Sequence, residues 1–298
     1  MSVLVLGATG TVGPHVVRAL LSRGEPTRVL TRDPRRAREI LPAGAVVVEG
    51  DPEHDDVLLD AAAGVRAVFL LSSHGRRMAD VQLGIIRALR RQAVRIVKLS
   101  GTSTAITPDG PHACRQHWEV EQVLAASGAV HVILRPNAFM QTLVDQTMLP
   151  AARSGGTVPN ALGAAGLSMI SARDVGDCAA VALTDPRWDG QILRLTGPRS
   201  VTVPEVAELI SVRIGHPVTV TVSTPAAMRR VLADRGMPTW EAEHFEEMYR
   251  LFRSGRSESV TDDVRRLLGH GPIDLTDHLA DLLARPTPQN SSGDAHDA

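Results

Sequence analysis

The chain has 298 residues, 32 basic against 33 acidic side chains for a formal net charge of −1, and two cysteines. That length can bury a substantial core, while the balanced and evenly spread charge excludes the footprint of a nucleic-acid or anionic-membrane binder. Cys114 and Cys178 are too few for a disulfide framework. No basic leader precedes the first apolar run and no stretch reaches spanning length, so the expectation is a cytoplasmic protein with reduced thiols, a small-molecule partner and no metal.

The chain opens on Val3-Leu4-Val5-Leu6, an apolar run of the kind a buried parallel strand requires, and passes directly into glycines at 7, 10 and 13. One glycine turns the chain off the strand, one lets a pyrophosphate approach the backbone, and one lets the next helix pack closely. Pro14 suits the first turn of that helix, Val16, Val17, Leu20 and Leu21 form its buried face, and Gly24 ends it. The second strand, Thr27 to Thr31, comes at the distance a βαβ unit requires.

The alternation continues. Strands are predicted at Ala45 to Val48, Ala67 to Leu71, Ile96 to Leu99 and His131 to Leu134, and helices at Asp55 to Ala63, Met78 to Arg91 and Trp118 to Ser127. Such alternation implies an α/β fold, a doubly wound parallel Rossmann sheet with right-handed crossovers. Beyond about residue 150 the pattern changes. Ser154 to Gly166 reads as a loop, Ser171-x-x-Asp174 as a capping box for a helix from Val175 to Leu183, and Ile192 to Leu195 as a strand. Pro204 to Ile214, closed by Gly215, is helical, and Pro217 to Val222 alternates like a strand. Helical pieces follow at Ala226 to Ala233, Glu241 to Arg253 and Asp262 to Leu268. Residues 1–150 thus read as the nucleotide-binding core and 151–285 as a small C-terminal α/β substrate lobe completing the same domain. The tail, Pro286 to Ala298, has the composition of a disordered segment.

Ligands on such sheets bind beyond the carboxyl ends of the strands. The candidate cofactor-binding residues are therefore Gly7, Thr9, Gly10, Thr11, Val12 and Gly13, then Arg32, Gly50, Asp51, Leu71, Ser72, Ser73, Pro136 and Asn137. An NAD site places an acid at the end of the second strand, whereas this chain has Thr31-Arg32 there. An arginine forks onto a 2′-phosphate that a carboxylate would repel, so NADP(H) is expected in preference to NAD(H). Asp33, one residue on, is the complication, because a shift of one position would restore the NAD-type acid.

Together, GATGTVG, TRDP, EGD, HWEVEQVLAASG with ILRPNAFMQ, RDVGDCAAVAL and LTGPRSVTVPEVAELIS resemble the NmrA-like branch of atypical short-chain dehydrogenase/reductases over residues 1 to 283. The resemblance implies NADPH-dependent reduction of quinones or other small molecules, and equally covers regulators that bind dinucleotide without turning it over. Typical short-chain dehydrogenases use Tyr-x-x-x-Lys, in which the lysine lowers the tyrosine pKa. Here the single tyrosine, Tyr249, and the single lysine, Lys98, cannot form it. With Glu121 aligned to the glutamate after that motif, Ala113 and His117 occupy the two positions.

The catalytic candidates left are Ser100, His117 and Lys98, with Thr102, Phe139 and Met140 as substrate-pocket candidates. Each has two readings. Ser100 either binds a substrate carbonyl or satisfies a strand end. His117 either supplies a proton at an unshifted pKa or packs beside Trp118. Lys98 either reaches the nicotinamide ribose or turns to the surface, and Phe139 and Met140 either wall an apolar pocket or belong to the core. The expected activity is NADPH-dependent reduction of a small apolar carbonyl or quinone-like acceptor; the alternatives are a non-catalytic NADP(H) sensor and a non-redox enzyme on the same scaffold.

Overall fold

The structure is a computed structural model that describes residues 1–90 and 92–284; the predicted tail and Arg91, the expected end of a helix, lie outside them. In chain order the first half runs β1 (Ser2–Val5), α1 (Gly13–Ser22), β2 (Thr27–Thr31), α2 (Pro34–Ile40), β3 (Val46–Glu49), α3 (Asp55–Ala62), β4 (Val65–Leu70), α4 (Met78–Leu89), β5 (Arg95–Leu99), α5 (His112–Ala126) and β6 (His131–Pro136). A π-helical stretch, Gln141–Met148, continues into α6 (Leu149–Gly155). Then follow β7 (Thr157–Asn160), β8 (Gly166–Leu167), α7 (Ala172–Thr184), β9 (Ile192–Leu195), β10 (Val201–Thr202), α8 (Val203–Ile214), β11 (Thr219–Val222), α9 (Pro225–Asp234), α10 (Thr239–Arg253), α11 (Asp263–Leu268) and α12 (Leu275–Ala284).

The central sheet has seven strands in the order β3-β2-β1-β4-β5-β6-β9, every pair parallel. The apolar strand runs bury both faces of it. One face packs on α1 and α7 through Val5, Val16, Val17, Phe69, Val97 and Val175, and the other on α3, α4 and α5 through Leu4, Leu58, Ile85 and Leu124. At the α1–α7 crossing a Cβ on Gly176 would stand 2.5 Å from the His15 Cβ, so only glycine permits that approach. A third core, containing Val158, Ile210, Met228, Tyr249 and Phe252, holds the later elements together. There β7 pairs in parallel with β11, and β8 pairs antiparallel with β10.

Several expectations are corrected. The presumed loop from 154 to 166 contains β7. Ser171 caps α7 by accepting from the Arg173 N–H, but Asp174 does not complete a capping box; its carboxylate accepts from Ile273 N–H at 2.9 Å and so ties α7 to the chain before α12. The helix expected from Trp118 begins at His112. Helices α2, α6 and α12 were not predicted.

Candidate functional site

A cavity of about 480 Å³ opens at the carboxyl ends of β1, β2, β3 and β4, lined among others by Gly7, Thr9, Arg32, Asp51, Leu71, Ser72, Ser73 and Trp240. Its floor is the turn after β1. Gly7 has φ +67°, and a Cβ there would meet Leu71 Cγ at 2.8 Å. A Cβ on Gly13 would lie 2.4 Å from the Gly7 carbonyl oxygen, so α1 can begin tucked under the turn only at glycine. Gly10 differs: an added Cβ would find only the Gly7 oxygen, at 3.5 Å. No protein packing demands glycine there. Val12 precedes α1 with no side-chain cap and Pro14 sits in the first turn, so the helix presents free N–H groups and its positive dipole end. Val12 and Gly13 are buried, and Thr11 is exposed; their part is to shape that end.

At the far end of the cavity Arg32 is largely exposed, 3.9 Å from Asp51. Asp33 turns away, its carboxylate accepting from Arg36 N–H as the cap of α2. The residue that faces the cavity is thus the arginine. Gly50 does not line the cavity; a Cβ on it would come within 2.3 Å of Val57 Cγ1, so its role is packing. These groups fit a nicotinamide dinucleotide. A separate cavity of about 560 Å³, bordered by Arg66, Val94 and Asp189, lies at the opposite, amino ends of the strands.

Beyond the cavity, at the ends of β5 and β6, side chains are joined in two buried networks. In the first, Ser100 Oγ donates to Glu121 Oε1 at 2.5 Å. Arg135 forks onto the same carboxylate, through Nε at 3.2 Å and through a shorter second contact. Glu121 is 2% exposed and Ser100 is 6% exposed. The Ser100 hydroxyl is thus committed to satisfying a buried carboxylate, not directed at a substrate carbonyl.

The second network is Lys98 and His117. Lys98 is fully buried, so it does not turn to the surface. Its Nζ donates to the Leu99 carbonyl at 3.1 Å and lies 2.9 Å from His117 Nδ1. Burial lowers its pKa to about 7, with Glu121 opposing and Arg135 adding to the fall. His117 is held well below its ordinary value by burial first, then by Lys98, His74 and His244, which replaces the unshifted imidazole expected from the sequence.

Other candidates belong to the framework. Asn137 donates through Nδ2 to Ser168 Oγ at 2.7 Å and to the Ser257 carbonyl at 2.9 Å, and Thr102 Oγ1 donates to its Oδ1 at 3.4 Å. Pro136 is buried at the end of β6. Met140 is 1% exposed within the third core and does not wall a pocket; the helical stretch that begins beside it turns its side chain inward. Phe139, half-buried, bridges to Ile170 and packs on the sheet core.

Sequence reasoning missed one group. The rings of His74 and Trp240 lie 5.2 Å apart, His74 and His244 5.2 Å, and His112 and Trp240 5.8 Å. They come from the loop after β4, the start of α5 and α10. Burial lowers His74, and lowers His244 to about 3, so these two rings pack uncharged at neutral pH. The first N–H groups of α5, left uncapped by Pro111, donate to α10: His112 N–H to Glu247 at 3.0 Å and Ala113 N–H to His244 Nδ1 at 3.4 Å. The clue in the sequence was the four-residue spacing of Trp240 and His244, which places both on one helix face. Among the described residues no cluster could hold a metal ion, and no helix is long and apolar enough to cross a membrane.

The model of the NmrA-like family matches residues 1–274, and the chain belongs to that family. It is 31% identical to an NAD(P)H azoreductase of Xenophilus azovorans over 268 residues, covering 90% of this chain and 93% of that one. It is 27% identical to prestalk A differentiation protein A of Dictyostelium discoideum over 298 residues, covering 98% and 94%. The fold matches an NADPH-dependent quinone oxidoreductase of Escherichia coli complexed with NADPH, with a TM-score of 0.85, 23% identity, and coverage of 94% of this chain and 99% of that one.

Proposed function

We propose that this protein is an NADPH-dependent oxidoreductase that reduces a small, apolar carbonyl or quinone-like acceptor in the cytoplasm and does so without a Tyr-x-x-x-Lys pair. The observation that carries the reading is the cleft itself: a glycine turn whose middle member has no packing reason to be glycine, an uncapped helix end, and Arg32 in the cavity while Asp33 faces away. The azoreductase and quinone oxidoreductase among its relatives support the same reading. The start of α1 binds the pyrophosphate, Arg32 the 2′-phosphate, and Asp51 the adenine amino group. When bound, the nicotinamide cofactor supplies a hydride, and the protein orients the reactants and excludes water.

Mixing the protein with NADPH and a panel of quinones, azo compounds and aldehydes, and following the reduced-nicotinamide absorbance, tests the activity. A sensor reading is favoured by one observation, Ala113 and His117 where the tyrosine and lysine of related enzymes stand; tight NADPH binding with no oxidation across the panel would establish it. Product formed with no net cofactor change would indicate non-redox catalysis. For the cofactor preference, Arg32→Glu weakens NADPH binding by about tenfold or more, the order of one charge-assisted pair, and leaves NADH binding nearly unchanged. Equal losses for both cofactors would refute the assignment.

A further inference from the structure

Lys98 is the chain's single lysine, and the fold buries it completely in a central strand, although a lysine is among the residues least often found there. Two contacts hold its ammonium group, the Leu99 carbonyl at 3.1 Å and His117 Nδ1 at 2.9 Å. A protonated amine can only donate, so Nδ1 must be the bare nitrogen of a neutral ring and the ring proton must sit on Nε2. Nε2 has no hydrogen-bond partner among the described residues, and His117 as a whole is half-buried. The edge of the ring that carries it borders the turn after β5, with His117 Cδ2 3.5 Å from where a Cβ on Gly101 would stand.

We propose that Lys98 and His117 form a proton-delivering unit in which His117 Nε2–H is the donor to the reduced acceptor and Lys98 is the positioning residue that fixes the ring tautomer and resupplies the proton. The inference rests on the reductase reading and adds the proton route to it. The acceptor takes a hydride at one atom and the Nε2 proton at its developing oxyanion or nitrogen anion. As the Nε2–H bond breaks, one Lys98 N–H proton passes to Nδ1, so the ring remains neutral and Lys98 ends as a neutral amine. One hydride and one proton convert a quinone to a hydroquinone. After product leaves, a solvent proton enters at Nε2 and the Nδ1 proton returns to Lys98, which restores the starting tautomer. The charged and titratable groups facing the pair are Glu121 of α5, Arg135 of β6, His74 of the loop after β4 and His244 of α10. Because the amine titrates near 7, the unit is loaded below neutrality and empties as pH rises.

Lysine labelled with ¹³C at Cε gives a single side-chain signal, and ¹⁵N-labelled histidine reports the tautomer. In the protein without acceptor, the lysine midpoint should fall near 7 and His117 should show a protonated Nε2 beside a bare Nδ1. In turnover with NADPH and 1,4-naphthoquinone, kcat should fall as pH rises through that midpoint. Lys98→Met should lower kcat at least tenfold with KM and NADPH affinity unchanged, and should remove that limb of the pH profile. His117→Asn should do the same, and the double variant should be no slower than the slower single one, as for residues acting as a unit. Retained NADPH affinity shows that each variant is folded. A ring proton on Nδ1 overturns the proposal whatever the enzyme does. The predicted tautomer with kcat unchanged in Lys98→Met overturns the relay and leaves the reductase reading standing. No oxidation by the wild type across the acceptor panel overturns both.

Discussion

Two regions along the carboxyl edge of the sheet, the proposed dinucleotide end and the proposed reacting end, are built on different principles. The dinucleotide end is made of backbone: a glycine turn, an open helix start, and one arginine at the rim. The reacting end is made of buried side chains that satisfy one another, Ser100 with Glu121 and Arg135, and Lys98 with His117. The packing glycines of the first tolerate almost no added volume, whereas the buried pairs of the second fail when one partner is removed. The contrast therefore says where each end is fragile.

The largest effect is expected from Gly13→Val. Its side chain would collide with the Gly7 carbonyl and the Ala8 backbone, and the protein should lose more than about 4 kcal/mol of stability or fail to fold, by the mechanism of backbone overpacking. Its counterpart is Gly10→Ala, where contact is only at 3.5 Å. There thermal unfolding should be unchanged while NADPH titration shows affinity falling about tenfold or more, roughly 1.4 kcal/mol. Equal loss of stability in both variants would erase the distinction between a packing glycine and a ligand glycine.

Next comes Arg135→Met. It leaves the Glu121 carboxylate, 2% exposed, with only the Ser100 hydroxyl, and breaking such a buried pair costs about 3–5 kcal/mol. Chemical denaturation should record that loss, and Glu121→Gln in the same background should recover part of it because no uncompensated charge remains.

Lys98→Met should act in the other direction, by about 2 kcal/mol, in the range seen when buried charge is exchanged for apolar volume. The sign follows from linkage. Lys98 titrates at about 7 in the folded protein against 10.5 for an ordinary lysine, so between those values the unfolded chain binds the extra proton and wild-type stability rises with pH. The variant's advantage in melting temperature should be greatest at pH 6 and gone by about pH 10.5. A more stable but slower variant would mark the pair as a functional strain and not a structural clasp.

The strand, glycine turn and helix at the start of the chain, and the place of Arg32, could be read from sequence because their determinants are local: four apolar residues, three glycines, a proline, and an arginine at a fixed distance along the chain. The same logic placed all seven strands of the sheet, whose apolar runs are buried on both faces in the central strands and partly exposed in the edge strands β3 and β9. Helix α2 was missed because Arg35, Arg36 and Arg38 give it almost no apolar face, although Asp33-Pro34 is an N-cap signature. The start of α5 was placed too late because Pro111 offers no side-chain cap. At the reacting end, residue types were legible but pairings were not. Nothing local says that Ser100 will meet Glu121, 21 positions away, or that Lys98 will meet His117, 19 away.

The capping of α5 by Glu247 and His244 also has a bearing on the order in which the protein assembles. The donors and acceptors are 135 and 131 positions apart, so while the chain leaves the ribosome the first turn of α5 has no partner until residue 247 has emerged. Long-range closures of this kind come late in folding. Six of the seven strands of the sheet and its glycine turn lie within the first 136 residues, but the helix that carries His117 acquires its final anchor only when most of the polypeptide has been synthesised. A truncated product ending before α10 therefore holds His117 on a helix whose start is uncapped.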